Sequence, residues 1–325
     1  MNKFRTLIVG AAACGLISVA NAQTSDYPAR PIRVVVPFPA GGVIDVVGRI
    51  LEEKLSSGFG RPVIIDNRPG AAGMVGAGIV AKSAPDGYTL LMTNSALTMG
   101  APLYRELPFD ASQAFTPLLI AAHAPSILVV HPSMNVKSVT ELVELLTKSK
   151  RGAFSYGSAG VGAPSHLAAE LFKRIVGFDA VHVPYKGAAP LMVDQIGGLF
   201  AFHFAVANVG VPQINAGKVR ALAITSAERS SLFPDLPTMH EAGIREFEAS
   251  QWVGYLAPRG VPTTVVNRFV AEVNKALAHE DVKKALARVA IDVAGSSDPA
   301  SFAAFLQKDF AKWIGVVQDA NIKAE

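Results

Sequence analysis

From Ile32 onward the chain alternates short β-branched apolar runs with longer segments whose apolar residues recur every three or four positions. Ile32-Arg33-Val34-Val35-Val36, Val63-Ile64-Ile65, Tyr88-Thr89-Leu90-Leu91-Met92 and Ile127-Leu128-Val129-Val130 read as buried strands. Between the first two, Ile44, Val47, Leu51 and Leu55 share one helical face, and Gly58 and Gly60 stop the helix. The alternation continues with helices over 138–148, 164–176 and 188–196 and strands over 154–156, 181–183, 199–204 and 219–224. After a strand at 252–256 the pattern turns almost wholly helical, with amphipathic stretches at 262–278, 282–289 and 301–317. This order predicts an α/β protein.

The first 22 residues follow a different rule. Lys3 and Arg5 precede an uncharged stretch from Thr6 to Ala20, and Ala20-Asn21-Ala22 puts small residues at both cleavage positions. This is the layout of a secretory signal, residues 1–22, cut before Gln23. An amphipathic core helix is disfavoured by the missing polar face, and a lipoprotein signal ending at Ala11-Ala12-Ala13-Cys14 by alanine standing three places before the cysteine. No later window reaches the roughly 18 charge-free apolar residues of a membrane span, so a soluble protein outside the cytoplasm is expected.

Composition sharpens this. Subtracting Lys3 and Arg5 from the formal +4 leaves +2, too little for an electrostatic grip on nucleic acid. Cys14, the one cysteine, leaves with the signal, so a thiol nucleophile, a cysteine zinc site and a disulfide framework are excluded. The seven histidines are scattered singly, and neither a metal nor a cofactor is expected. With 50% hydrophobic and 17% charged residues the chain can bury a large core. Its remaining length of about 303 exceeds the roughly 250 at which one core stops growing. Two α/β lobes are therefore expected, with the C-terminal helices packed on one of them.

Two strand-to-helix loops carry the candidate chemistry. Pro37-Phe38-Pro39-Ala40-Gly41-Gly42-Val43-Ile44-Asp45 brings two adjacent glycines to a helix start, where free N–H groups suit a carboxylate or phosphate. The alternative is an ordinary turn with Asp45 favouring its helix dipole. Gly157-Ser158-Ala159-Gly160-Val161-Gly162-Ala163-Pro164-Ser165-His166 offers a second anion cradle. There His166 is either a general base or a structural hydrogen bonder. A weaker echo of the first loop occurs at Val183-Pro184-Tyr185-Lys186-Gly187, at the carboxyl end of a strand, where open α/β folds bind ligands; ordinary turn chemistry explains it equally well. Gly76-Ala77-Gly78-Ile79-Val80-Ala81 fits a dinucleotide fingerprint in letters only, since its strand is too distant and no acidic residue follows at ribose distance. Ser158 lacks the glycine two places earlier that a nucleophile elbow needs.

Tyr27-Pro28, Val36-Pro37-Phe38-Pro39-Ala40-Gly41-Gly42 with Asp45, Asn67-Arg68-Pro69-Gly70-Ala71, Ala84-Pro85-Asp86-Gly87-Tyr88-Thr89-Leu90, Val130-His131-Pro132, Ser165-His166-Leu167, Val183-Pro184-Tyr185-Lys186-Gly187, Ala216-Gly217-Lys218-Val219-Arg220-Ala221-Leu222 and Leu256-Ala257-Pro258 together define a resemblance. In this order they resemble the extracytoplasmic receptors of tripartite tricarboxylate transporters, the Bug family, across nearly the whole exported chain. The resemblance implies a two-lobe, type II-like periplasmic-binding-protein fold that closes on a carboxylate-bearing small molecule and delivers it to membrane permease subunits. Lobe 1 would comprise 23–123 plus 250–325 and lobe 2 residues 124–249, with a monomer expected. The ligand contacts it implies are Phe38, Ala40, Gly41, Gly42, Ile44 and Asp45, then Met74 in the 70–76 loop, and Asn94 and Ser95 after the third strand. In lobe 2 they are Ser158, Ala159, Gly160, Ala163, Ser165, His166, Phe204 and Ala205.

Three positions depart from the family pattern. Ile44 stands where threonine or serine is usual, Met74 where asparagine is frequent, and Ala205-Val206 where Asp-Asn is common. Apolar residues flanking the ligand loops favour an aromatic or long-chain carboxylate over an amino acid or a citrate-like polycarboxylate, because unpaired buried polar groups cost about 1–3 kcal/mol each. Phe204 is expected to point into the cleft and His203 to the core or back face. The alternatives are a secreted hydrolase using Ser158 or Ser95 and a sensor subunit acting through the same closure.

Overall fold

The structure, a computed structural model, describes residues 27–322 except 105 and 296. The segment read as an export signal, with Cys14, lies outside the described residues. The chain opens with β1 (Ile32–Val36), α1 (Val43–Phe59), β2 (Val63–Asn67), α2 (Met74–Ala81), β3 (Thr89–Asn94), α3 (Ala96–Gly100) and β4 (Phe115–Ala124). After Pro125 follow β5 (Ser126–Val130), α4 (Val139–Lys148), β6 (Ser155–Ser158), α5 (Pro164–Val176), β7 (Val181–Pro184), α6 (Ala188–Ile196), β8 (Phe202–Val206), α7 (Ala207–Asn215) and β9 (Arg220–Ile224). The last part holds β10 (Gln251–Pro258), α8 (Thr263–Ala278), α9 (Glu280–Arg288), β11 (Asp292–Val293) and α10 (Pro299–Asp319).

Two sheets result, ordered β11-β4-β10-β3-β1-β2 and β7-β6-β8-β5-β9. Each has three parallel strands followed by antiparallel ones. In the first, β2, β1 and β3 run parallel and β10 enters antiparallel between β3 and β4. In the second, β7, β6 and β8 run parallel and β5 enters antiparallel beside β8. This shared design makes β6 the counterpart of β1. The counterpart of the loop after β1 is therefore the loop at 159–163, and the echo at 183–187 follows β7, a non-equivalent strand.

The chain leaves the first sheet at Ala124, enters the second at Ser126, and returns at Gln251. A third link was not anticipated. Phe302, Leu306 and Phe310 at the start of α10 pack with Val35, Leu91 and Trp252 of the first lobe. Trp313, Val316 and Val317 at its end pack with Leu171, Phe172 and Phe204 of the second. The C-terminal helices therefore do not all sit on one lobe, because α10 is long enough, at 21 residues, to bury one end in each core. At its middle, buried Asp309 accepts hydrogen bonds from Thr98 Oγ1 (2.7 Å), Trp252 Nε1 (3.2 Å) and Trp313 Nε1 (2.9 Å). Lys312 pairs with it at 2.7 Å, balancing the buried charge.

Candidate functional site

The loop after β1 turns at Gly41, whose φ of +82° is left-handed and strained for a residue with a Cβ. Gly42 caps α1 with no side-chain partner, so the first helical N–H groups need another acceptor. Asp45, one turn in, reaches back: Oδ2 accepts from Gly41 N–H at 2.8 Å and Oδ1 from Asn67 Nδ2 at 3.0 Å. Asn67 also donates to the Phe38 carbonyl (3.1 Å), and Arg49 Nε lies 3.1 Å from both Asp45 oxygens. Burial alone would raise the Asp45 carboxyl, but the bonds from Gly41, Asn67 and Arg49 hold it below the ordinary carboxylate range. Its side chain is therefore fully used in holding the loop, and the implied ligand contact from Asp45 is corrected to a structural one.

The second loop repeats the device. Ser165 Oγ, in the first turn of α5, accepts from Ala159 N–H (2.9 Å), and His166 Nδ1 accepts from Gly162 N–H (3.0 Å). Accepting at Nδ1 fixes His166 as the neutral Nε2–H tautomer. Burial, then the neighbouring His182 and Lys173, push its pKa down to about 3. Its ring stacks on His182 with centroids 3.8 Å apart and 7° between planes. His166 is thus the structural hydrogen bonder rather than the base. Ser158 is fully buried, donates Oγ–H to the Gly160 carbonyl (3.0 Å) and lies 2.6 Å from His182 Nε2. Ser158 and His182 thus form a buried pair, and Ser158 lines neither the cleft nor the cavity beside it.

Between these loops lies a cleft of about 710 Å³. Of the residues expected to contact a ligand, Phe38, Asn94, Ala159, Gly160 and Ala163 line it. Sequence reasoning missed Met99, Leu103, Tyr104 and Gln251, and did not assign Lys186 to the site. Lys186 is the sole lysine or arginine lining the cleft among the described residues. A smaller cavity of about 60 Å³ opens from it, sharing Ala159, Pro164 and Gln251, and is walled by Ser165, Leu191, Ala205, Val206 and Val209.

Of the other expected contacts, Ala40, Gly41, Gly42 and Ser95 line neither space. Ile44 is 2% exposed inside the first-lobe core, and Met74 is buried against α3, so neither shapes the ligand surface. Only Ala205-Val206 of the three departures does. Phe204 borders the small cavity, but its ring stacks on Phe247 and meets Phe172 edge-on within the second core, so its side chain does not point into the cleft. His203, on the opposite face of β8, does line the small cavity.

A cleft between two α/β lobes, walled by glycine-rich loops at the carboxyl ends of parallel strands, defines a two-lobe solute-binding protein. The family model for tripartite tricarboxylate transporter family receptors matches residues 47–322, and the chain belongs to that family. It is similar to the protein BugT of Bordetella pertussis, 35% identical with 99% of each chain covered. Among solved structures it is similar to Rpa4515 of R. palustris with adipate, 32% identical, covering 92% of this chain and 99% of that one with a TM-score of 0.72. It is also similar to a TctC solute-binding protein from Polaromonas with no ligand, 27% identical, covering 90% and 99% with a TM-score of 0.82.

Proposed function

We propose that the chain is an exported receptor that captures an apolar-bodied carboxylate and presents it to the membrane permease of a tripartite tricarboxylate-type transporter. Lobe 1 would be 23–123 plus 250–325, lobe 2 124–249, and export would follow removal of residues 1–22. One observation carries this reading. The polar side chains of both loops turn back to hold the loops, leaving Phe38 of the first loop, the backbone and small residues of 159–163, Lys186 and the amides of Asn94 and Gln251 to face the cleft. Such a surface grips a carboxylate by N–H groups and one cation, and offers Met99, Leu103, Ala205 and Val206 to an apolar body.

Adipate in the R. palustris relative supports the carboxylate class. Closing the cleft would then bury the solute and create the surface a permease reads. Catalysis is not part of the reading, because Ser158 and Ser95 are fully buried and line neither the cleft nor the small cavity.

The test is thermal melting of the exported chain against aliphatic dicarboxylates, tricarboxylates, aromatic carboxylates and amino acids. A ligand at a hundredfold over its dissociation constant stabilises by about 2.7 kcal/mol. A midpoint rise with aromatic or long-chain carboxylates is expected. A rise with amino acids alone overturns the ligand class, and steady product formation overturns the receptor.

A further inference from the structure

The small cavity beside the cleft is mainly apolar: Gln251 lies where it joins the cleft, Ser165 Oγ is bonded to Ala159 N–H, and His203 is its remaining polar side chain. Ala188, Leu191, Ala205, Val206 and Val209 supply its hydrocarbon, and His203 supplies an imidazole. His203 is 1% exposed and sits on β8, opposite Val129 of β5. The alternation that sends Phe202 and Phe204 into the core sends His203 the other way, under α6. There Nδ1 lies 2.9 Å from Gln195 Oε1, and the Phe200 ring meets the imidazole edge-on at 5.9 Å. Nε2 makes no hydrogen bond among the described residues. Gln195 is itself fully buried, and its Nε2 is unpartnered, so the amide's only bond is the one that orients the imidazole.

A polar atom set in an apolar cavity costs free energy unless something meets it. The cavity joins the carboxylate cleft through Ala159, Pro164 and Gln251, so that something can be the far end of the ligand. We propose that His203 is a specificity-determining residue, whose Nε2 receives a hydroxyl carried at the end of the ligand's apolar body. The proposal rests on the carboxylate-receptor reading and names the solute more closely: a hydroxyaryl or ω-hydroxyalkyl carboxylate.

The choice of a hydroxyl follows from charge and from proton count. Burial pushes the His203 pKa down to about 3, so the ring is neutral wherever the protein works. A second carboxylate there would lie in an apolar cavity with no cation, Lys186 facing the outer cleft, and an ammonium would lie there with no carboxylate. A hydroxyl is neutral, and it both donates and accepts, so it pairs with Nε2 in either imidazole tautomer. A hydrocarbon end leaves Nε2 unpaired.

The experiment is calorimetric titration of the exported chain with matched pairs: benzoate and 4-hydroxybenzoate, 3-phenylpropanoate and 3-(4-hydroxyphenyl)propanoate, hexanoate and 6-hydroxyhexanoate. In at least one pair the hydroxylated member should bind about tenfold tighter. His203→Phe should erase that preference, bringing the two members of the pair to within about threefold of each other. Gln195→Met, which keeps the imidazole but removes its orienting partner, should reduce the preference without abolishing binding. Equal binding within every pair by the unaltered chain overturns the proposal and leaves the receptor reading standing; so does a preference that survives His203→Phe. Failure of every carboxylate to bind overturns both. The pair comparison on the unaltered chain decides the matter even where a variant fails to fold.

Discussion

Asp45 separates two accounts of the first loop: a carboxylate that touches solute, or one that shapes the loop from behind. Asp45→Ala removes acceptors for Gly41 N–H, Asn67 Nδ2 and Arg49 at 2.8–3.1 Å. Hydrogen bonds to a charged group contribute about 1.5–3 kcal/mol each. The exposed Gly41 N–H recovers a water, and the half-exposed Arg49 pair is worth under about 1 kcal/mol. A loss of roughly 3 kcal/mol remains, or about 6–12 °C in melting temperature at 2–4 °C per kcal/mol. Asp45→Asn keeps the shape but faces one donor with another, and should lose about half as much. The pH dependence has a definite sign. The folded carboxyl titrates below its unfolded value, so its stabilisation is present above about pH 4 and is lost as pH falls through the folded pKa. The gap between wild type and Asp45→Ala should therefore narrow below pH 4. Melting followed by circular dichroism, with calorimetry for a bound carboxylate, measures both. An Asp45→Ala protein that melts like wild type yet binds nothing would refute the reasoning, since the carboxylate would then be acting on the solute.

Further outcomes follow from packing and burial. At Gly76→Ala the new Cβ would meet Pro37 Cβ at 2.7 Å and the Arg68 carbonyl at 2.9 Å, so α2 must shift away from the first loop. A loss of about 1–3 kcal/mol is expected; an unchanged melting temperature counts against that contact. His166 stays neutral when folded but takes a proton near pH 6.5 when unfolded, so its stabilisation is complete above 6.5 and is lost as pH falls towards 3. That amounts to roughly 2 kcal/mol at pH 5. A His166→Gln protein should show a shallower fall in melting temperature from pH 7 to 5, and an identical slope would refute the assignment. Trp313→Ala empties a site in the second core from a helix rooted in the first, costing about 3–5 kcal/mol. Calorimetry should show the melting transition split into two, and a single sharp transition would show that α10 does not couple the lobes.

The elements legible in the sequence were those with a strong period and clean ends. Pro164–Val176 and Ala188–Ile196 match their helices to the residue, since each starts at a proline or after a glycine and ends before a glycine. Ser138 caps α4 by accepting from Glu141 N–H, as its position before the periodic run implies. What escaped lacks period. α2 is apolar on every side, with Gly76 and Gly78 inside it, and α7 carries Gly210 and Pro212, so neither shows an amphipathic face. β4 contains Pro117, which breaks its apolar run in sequence, although its first residues lie towards the end of the sheet's ladder. The cleft was legible where backbone chemistry makes it, at the two glycine-rich loops. It was not legible at Leu103, Tyr104 and Gln251, which reach it only because α3 and β10 pack where they do. Ile44 and Met74 misled because adjacency to a ligand loop along the chain says nothing of which side of the helix faces the ligand.

The two loops solve one problem twice, and the solution explains where specificity must sit. In each, a first-turn side chain, Asp45 or Ser165, accepts an N–H from the preceding loop and so fixes the loop backbone. Recognition by backbone groups is indifferent to side-chain identity, and so to the rest of a carboxylate's structure. Discrimination among carboxylates must then come from residues outside the loops, on elements whose packing is fixed by the cores. Those are Met99 and Leu103 beside the first lobe, and Ala205, Val206 and His203 at the end of β8. α10 bears on the same point, because a helix with one end in each core ties the position of β8 to that of α3. A cavity as small as 60 Å³ discriminates only if its walls are held accurately in place. The buried carboxylate of Asp309, held by two indoles, a hydroxyl and Lys312, anchors the middle of that helix to Thr98 and Trp252.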